Sequence, residues 1–294
     1  MSAAMSMGHG LLDRFNRRVL GVATVHGKEH AIGPVLQAAL PIAGFAAIKG
    51  IDTDRFGAFS GEVQRTQDAL EACKAKAMHG AELSGHDLVI ASEGSFGPYP
   101  PAPFMTCDEE ILVIYDARDE RFFVHRHVSL ETVFGGESCT SWEQAAAFAK
   151  RMKFPDHGLV LRAQEKWTPS GAMRKGITEE AKLRDSVNDI IAAHGACWIE
   201  TDMRAMMNPT RMRVIAETTE RFAEQISSQC PACNACWFRI TGTRTGLPCM
   251  LCGWPTESIR SIERGCWHCG HVAFAPRPDG KQHEDPQHCG NCNP

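Results

Sequence analysis

Short apolar runs alternate with longer amphipathic segments up to about residue 227. Apolar runs of roughly four to eight residues are typical of buried strands, and apolar positions three and four residues apart are typical of helices. The first run, residues 18–24, precedes a helical pattern with Ile32, Val35 and Leu36 on one face. The alternation predicts strands near residues 18–24, 42–48, 87–92, 158–162 and 197–200, and helices near residues 29–40, 66–80, 141–154, 178–194 and 208–227.

Two further apolar runs, residues 111–117 and 121–129, are separated by a tight turn and predict a β-hairpin. A hairpin beside strands that helices connect indicates a sheet with both parallel and antiparallel neighbours. We therefore expect an α/β fold, a three-layer sandwich with a mixed central sheet. The composition changes near residue 228, which predicts an α/β domain over residues 1–228 and a cysteine-rich domain over residues 229–294.

Nine of the 13 cysteines lie in that last segment, and eight of them form four CxxC pairs. Eight thiolates fill two tetrahedral zinc sites and leave no open position, so we expect two structural Zn²⁺ ions in a small double zinc-ribbon module. The pairs are Cys230 with Cys233, Cys249 with Cys252, Cys266 with Cys269, and Cys289 with Cys292.

The spacing leaves the grouping of these pairs open. Sequential pairs sharing an ion would make two ribbons in tandem, which we favour, and interleaved pairs would make a cross-brace. An iron–sulfur cluster is the alternative occupant. Four further side chains stand close enough in sequence to substitute as ligands, namely Cys236, His268, His271 and His288.

The formal net charge is −4, so the surface offers no broad attraction to nucleic acid. The charges of the cysteine-rich segment nearly balance, and we expect it to contact a protein partner or a second copy of the chain instead. No apolar run approaches the roughly 20 residues that span a bilayer, and the N-terminal residues lack the apolar core of a signal peptide. These features predict a cytoplasmic protein without membrane contact.

One stretch combines a buried strand with polar groups at its end. Residues 87–91 read Asp-Leu-Val-Ile-Ala, and residues 92–97 read Ser-Glu-Gly-Ser-Phe-Gly. A carboxylate at the end of a buried strand needs a partner or a metal, and ligands of α/β sheets sit beyond the carboxyl ends of the strands. Glu93 therefore marks a candidate metal or nucleotide site. The alternative is a tight turn with Glu93 solvated at its tip.

Other loops are expected at the same end of the sheet. Residues 24–28 form a strand-to-helix turn suited to phosphate, residues 52–62 carry several carboxylates, and residues 200–211 carry two carboxylates and two arginines. Ordinary turns, solvated charges and helix caps would give the same patterns. The candidate phosphate ligands are Thr24, Lys28, Ser95, Lys175, Arg204 and Arg211, and the candidate Mg²⁺ ligands are Glu62 and Glu93.

Several of these motifs together resemble an uncharacterised bacterial family that ends in a four-CxxC module. They are residues 24–29 (TVHGKE), residues 52–57 (DTDRFG), residues 91–98 (ASEGSFGP), residues 201–205 (TDMRA) and residues 208–211 (NPTR). The resemblance covers nearly the whole chain and implies the zinc module, but it implies no activity.

Residues 18–130 are also similar, more weakly, to the inosine/xanthosine triphosphate pyrophosphatase fold. Thr24 and Lys28 approach the triphosphate-binding turn of that fold, although the turn is one residue short and His26 replaces an asparagine. Asp87 and Glu93 match its strand with a terminal acid. This resemblance implies phosphate on Lys28 and Mg²⁺ on Glu62 and Glu93.

Two functions follow as hypotheses. The first is a Mg²⁺-dependent hydrolase of a nucleotide or another phosphorylated small molecule, in which Glu93 binds the metal and Asp87 or Asp202 steers the attacking water. The second is a non-catalytic nucleotide-binding sensor or adaptor that contacts a protein partner through its zinc ribbons. Carboxylates that face an open cleft would favour the enzyme, and carboxylates held in ion pairs would favour the adaptor.

Overall fold

The computed structural model describes residues 9–51, 68–166, 168 and 173–294 of the chain. It forms two compact units, Arg17–Phe222 and the combination of Met1–Asn16 with Ala223–Pro294. Within the described ranges, no helix is long and apolar enough to cross a membrane. The helices of these ranges are α1 (Leu11–Phe15), α2 (Glu29–Ala39), α3 (Ala69–Ser84), α4 (Trp142–Arg151), α5 (Glu180–His194) and α6 (Pro209–Ser227).

A five-stranded mixed sheet lies at the centre of the Arg17–Phe222 unit. Its strands are β1 (Val19–Ala23), β2 (Gly44–Ala47), β3 (Leu88–Tyr99), β4 (Ala102–Asp116) and β5 (Arg121–Ser129). In the order β2-β1-β3-β4-β5, β1 runs parallel to β2 and β3, whereas β3, β4 and β5 are antiparallel neighbours. The mixed α/β fold that the sequence predicts is therefore confirmed.

Helices cover both faces of this sheet. On one face, Cys73 of α3 packs into the same apolar cluster as Val89 of β3. On the other face, Phe222 of α6 stacks on His125 with ring centroids 5.7 Å apart. His125 and Ser92 both pair with Leu112 of β4, so their side chains lie on the same face of the sheet. Ser92 and Val89 are three residues apart on β3, so their side chains lie on opposite faces. The core of the sheet is thus buried between two helical layers.

Local signals explain where α3 begins and ends. The carboxylate of Asp68 accepts hydrogen bonds from the backbone N–H groups of Leu70 and Glu71, at 2.8 and 2.9 Å, which satisfies donors that the first helical turn leaves open. Gly85 ends the helix in the left-handed conformation, with φ of +72°. These two signals set the bounds of α3.

The later strands form a second sheet and do not extend the first. Its strands are β6 (Gly136–Cys139), β7 (Leu159–Arg162), β8 (Met173–Ile177) and β9 (Cys197–Thr201), in the antiparallel order β6-β9-β7-β8. Helices α4 and α5 pack against it around Phe148, Leu161 and Val187. The sequence pattern does not separate this sheet from the first, because an apolar run does not show which sheet it joins, and the pattern does not predict β8.

The cysteine-rich unit is built on a small antiparallel sheet. Its strands are β10 (Arg239–Thr245), β11 (Ile259–Gly265) and β12 (Val272–Pro276), with β11 in the middle. A sheet of this size buries little apolar surface, so a unit built on it needs a further source of stability.

Candidate functional site

The turn between β1 and α2 presents a row of backbone donors. Gly27 has φ of +72°, and Lys28 follows in the right-handed helical region. Successive residues of opposite hand direct their N–H groups into one concavity, which suits an anion. Among the described residues, the N–H groups of Gly27, Lys28 and Glu29 have no hydrogen-bond acceptor, and they stand at the N-terminus of an 11-residue helix.

The Lys28 side chain is buried without a carboxylate. Its ammonium donates to Ser92 Oγ at 2.9 Å, and the residue is 6% exposed. No carboxylate of the described residues lies within ion-pair distance of it. Burial, followed by the charge of Arg211, lowers the pKa of Lys28 to about 8. The charges of Glu110 and Glu93 act in the opposite direction without touching it, so the group is protonated at neutral pH and has no carboxylate in direct contact.

Three neighbouring cations each have a carboxylate partner. Lys76 of α3 contacts Glu93 in a buried ion pair. Arg211 Nε donates to Glu110 Oε1 at 2.7 Å, and both side chains are 0% exposed. The third pair joins Arg204 to the buried carboxylate of Asp202, at 2.6 Å, and Asp202 also accepts from the N–H of Gly176.

The pKa of His26 is lowered by its surroundings. Burial and then the charges of Lys28, Arg211 and Arg204 lower the pKa of His26 to about 4. Its own N–H donates to Thr24 Oγ1 at 3.2 Å, which holds the turn. The imidazole is neutral at physiological pH, first because it is buried and second because cations lie near it, and those cations favour negative charge in this region.

Asp108 is a buried carboxyl on the same face of β4 as Glu110. It is 0% exposed, and neither carboxyl oxygen has a hydrogen-bond partner among the described residues. Burial, reinforced by the charge of Glu110, raises the pKa of Asp108 to about 8. The group is neutral at pH 7 and does not compensate the charge of Lys28.

Asp108 makes stability depend on pH. An aspartate in the unfolded chain loses its proton near pH 4, whereas the folded chain keeps it until about pH 8. Between these values the folded state binds more protons, so this group makes stability fall as pH rises. We expect Asp108→Asn to remove that slope and to stabilise the protein at pH 8 by about 1–3 kcal/mol. Urea unfolding from pH 5 to 8.5 measures both effects, and Asp189→Asn on the surface is the control.

A cleft of about 540 Å³ lies in the Arg17–Phe222 unit, beside the second sheet. Basic, acidic and aromatic side chains line it together with glycine backbone. Arg204 borders it, and Met206, two residues on, would lie 3.9 Å from a Cβ placed on Gly27, so the donor turn lies near this lining without being part of it. The lining includes Gly94, Ser95, Phe96, Phe134, Gly135, Gly136, Arg162, Glu165, Lys175, Trp198, Glu200, Asp202 and Arg204.

Most of the residues that the sequence singles out are brought to this region. Ser95, Lys175 and Arg204 line the cleft, and Thr24 and Lys28 form the adjoining turn. Arg211, the remaining predicted phosphate ligand, is fully buried and forms an ion pair with Glu110.

Of the acidic residues predicted to bind Mg²⁺ or steer a water, Glu93 and Asp202 lie in this region and Asp87 does not. Glu93 and Asp202 are near the cleft, and each contacts a basic side chain. Asp87 precedes β3 and pairs with Arg18, and at roughly 3.3 Å per residue it lies roughly 20 Å from Glu93 along the strand. Glu62 lies outside the described residues. The described residues include no group of three or more carboxylates placed to share one ion.

Sequence reasoning missed the basic and acidic partners inside the core. Lys76 stands on the small-residue face of α3 with Cys73 and Ala77, and Glu110 precedes the apolar run of β4 with the same alternation. In both cases the sequence signal is a charged residue at a position where the helical or strand periodicity predicts a buried side chain.

The eight CxxC cysteines form two groups of four. Cys230, Cys233, Cys266 and Cys269 make one group, and Cys249, Cys252, Cys289 and Cys292 make the other. Sulfur–sulfur distances across the groups are 3.7 to 3.9 Å. A zinc ion with four bonds of about 2.3 Å has tetrahedral edges of about 3.8 Å, so the thiolates fit Zn²⁺ without movement.

The sequential grouping favoured from the sequence is wrong. The first pair precedes β10 and the third follows β11, and Arg239 is in register with Gly265, so the hairpin brings these pairs together. The second pair lies in the connection between β10 and β11, and backbone contacts between Cys249 and Glu284 join that connection to the segment before the fourth pair. The cross-brace therefore follows from strand pairing.

Comparison with known proteins gives a family and no activity. No curated protein matches the chain, and no solved structure matches it. The similarity of residues 18–130 to the inosine/xanthosine triphosphate pyrophosphatase fold has no support from these comparisons. A family model described as a domain of unknown function, DUF6671, matches residues 76–294, which include β3, the cleft and both cysteine groups. The chain belongs to this DUF6671 family.

Proposed function

We propose that the protein binds a phosphorylated small molecule in the cleft and acts as a non-catalytic sensor or adaptor. The observation that carries the proposal is Lys28, a buried cation beside the cleft without a carboxylate partner. A buried charge is costly unless it is paired. An anion at the turn of Gly27 to Glu29 would compensate it.

The local charge inventory supports an anionic ligand. Lys76, Arg204 and Arg211 are each matched by one carboxylate, and Asp108 is neutral, so Lys28 leaves a surplus of positive charge. The open N–H groups of the turn add donors with the geometry that oxyanions need. Phosphate is the oxyanion that commonly uses such turns.

The cleft sets the size and character of the rest of the ligand. Its volume of about 540 Å³ is in the range of small-molecule pockets. Phe96 and Phe134 stack with ring centroids 5.7 Å apart, and Trp198 also lines the cleft. Flat aromatic walls beside basic groups suit a nucleotide or a similar phosphorylated molecule.

The ion pairs favour binding over Mg²⁺-dependent hydrolysis. Glu93 would have to leave Lys76 to hold a metal, and Asp202 would have to leave Arg204 to steer a water. Nucleoside triphosphates with Mg²⁺ separate the two functions. A sensor releases neither phosphate nor pyrophosphate, whereas release that disappears in Glu93→Gln would establish the hydrolase and overturn this proposal.

Lys28→Met tests the role of the buried charge. Methionine keeps the length of the side chain and removes the ammonium, so we expect the variant to be more stable by about 1–2 kcal/mol. Binding of a nucleoside monophosphate should weaken by about tenfold or more, because a charge-assisted interaction is lost. Thermal unfolding and calorimetric titration measure the two effects.

Lys74→Met is the matched control, because Lys74 is a partly exposed lysine that pairs with Glu71 on α3. It should leave binding unchanged. Unchanged binding in Lys28→Met, together with a loss of stability, would show that Lys28 is a structural group and would contradict the proposal.

The cysteine-rich unit offers the partner surface of the proposed adaptor. Three apolar side chains around the second CxxC pair, Met250, Leu251 and Trp254, are 68%, 75% and 55% exposed. A zinc ion with four thiolates adds a formal charge of about −2 beside them. An apolar surface next to negative charge fits a protein segment that is both apolar and basic.

A further inference from the structure

Glu200 is a carboxylate of the cleft that is held by neighbouring side chains and still has one oxygen open to a ligand. Its Oε2 accepts a hydrogen bond from Trp198 Nε1 at 2.9 Å and contacts the guanidinium of Arg162. Its Oε1 has no hydrogen-bond partner among the described residues and is not sealed from solvent. The side chain is 20% exposed and lines the cleft. One oxygen therefore fixes the carboxylate, and the other can accept a ligand donor.

The surroundings hold Glu200 in place before a ligand arrives. Trp198 and Glu200 alternate along β9 and project from the same face of the second sheet. A Cβ on Gly136 would lie 2.7 Å from the Trp198 ring, so the glycine lets the indole pack closely on β6. Burial raises the pKa of Glu200, which marks a partly desolvated carboxylate. Such a group gains more from a new N–H donor than a solvated one does.

We infer that Glu200 selects a guanine nucleotide among the phosphorylated ligands of the cleft. This inference rests on the proposed function. An ionised carboxylate only accepts hydrogen bonds. Guanine presents two adjacent donors, N1–H and the 2-amino group, that can converge on the two lone pairs of Oε1, beside a ring flat enough to lie against Trp198. Adenine and cytosine place an acceptor next to their amino group, and uracil flanks its single N–H with two carbonyl oxygens, so a carboxylate repels part of each edge.

Calorimetric titration of the wild-type protein with GMP, IMP and AMP tests the selection. IMP keeps N1–H and lacks the amino group, whereas AMP lacks N1–H. We expect GMP to bind most tightly, IMP to bind more weakly, and AMP to bind at least about tenfold more weakly than GMP. GMP methylated at N1 should fall to the level of AMP, and this ligand requires no variant of the protein.

Glu200→Gln keeps the size of the side chain and removes its charge. We expect it to weaken GMP binding by about tenfold or more and to leave AMP binding within about threefold, which abolishes the preference. Glu137→Gln is the matched control, because Glu137 belongs to the same sheet, pairs with Arg151 and does not line the cleft. It should keep the preference for GMP.

The outcomes separate this inference from the proposed function. Equal binding of GMP, IMP and AMP to the wild type, or a preference that survives Glu200→Gln, overturns the role of Glu200 and leaves a phosphate-binding protein. No binding of any of the three nucleotides overturns the proposed function and the inference together. A GMP preference that disappears in Glu200→Gln alone supports both.

Discussion

Replacing Cys233 and Cys266 together by serine should remove one zinc ion and leave the other bound. These two cysteines belong to the same four-cysteine group, and the other group stays complete. Replacing Cys233 and Cys249 together should remove both ions, because it damages both groups. Sequential pairing predicts the reverse stoichiometries. Zinc analysis of the two purified variants by mass spectrometry under native conditions therefore decides the pairing.

The loss of metal should also unfold the cysteine-rich unit. Structural zinc contributes on the order of 10 kcal/mol to small domains of this kind, and the three-stranded sheet has little apolar core of its own. The amide protection of β10 to β12 should collapse in a chelator and return with Zn²⁺. Cys236→Ser is the control, because Cys236 is in neither group, and it should keep both ions. A unit that stays protected without metal would contradict the structural role.

Glu110→Leu should destabilise the protein by about 3–5 kcal/mol. Arg211 and Glu110 are both fully buried, and removing one partner leaves the other as an uncompensated charge in the core. Arg211→Met should cost a similar amount. Combining the two changes should restore most of the loss, since two apolar side chains of similar volume can replace a buried ion pair. Urea unfolding of the three variants measures the coupling between the positions.

The exposed pair of Glu217 and Arg221 on α6 provides the comparison. Its atoms approach to 2.7 Å, but the side chains are 42% and 53% exposed. Breaking it with Arg221→Ala should cost less than about 1 kcal/mol. A similar, small cost for Glu110→Leu would mean that the buried pair is solvated in solution and that the charge inventory of the site is different.

Local pattern was sufficient for the elements but not for their arrangement. The hairpin of residues 111–129 and the strand that ends at Glu93 could be predicted because apolar alternation and turn residues are local signals. The second sheet could not, because β7 and β9 are short apolar runs that fit either sheet equally well. The same limit applies to the zinc groups, whose pairing depends on how β10 meets β11.

The candidate site shows a related limit. The sequence indicates Lys28 as a candidate phosphate ligand, because a lysine after a glycine at a strand-to-helix turn is a recognisable signal. Glu93 was found as an unusual buried carboxylate, but its partner Lys76 lies 17 residues away on a helix, and sequence spacing does not show that contact. The ion pair with Lys76 favours a counter-ion role for Glu93 over the metal-ligand role predicted from the sequence, and it is the reason to propose binding instead of hydrolysis.

Calorimetric titration with GMP and with guanosine tests for the proposed phosphate site, because the two ligands differ only in the phosphate. We expect GMP to bind to the wild-type protein, guanosine to bind at least about tenfold more weakly, and Lys28→Met to abolish the difference. Equal affinities for GMP and guanosine, or no detectable binding of GMP, would contradict a phosphate site at the turn of residues 24–28.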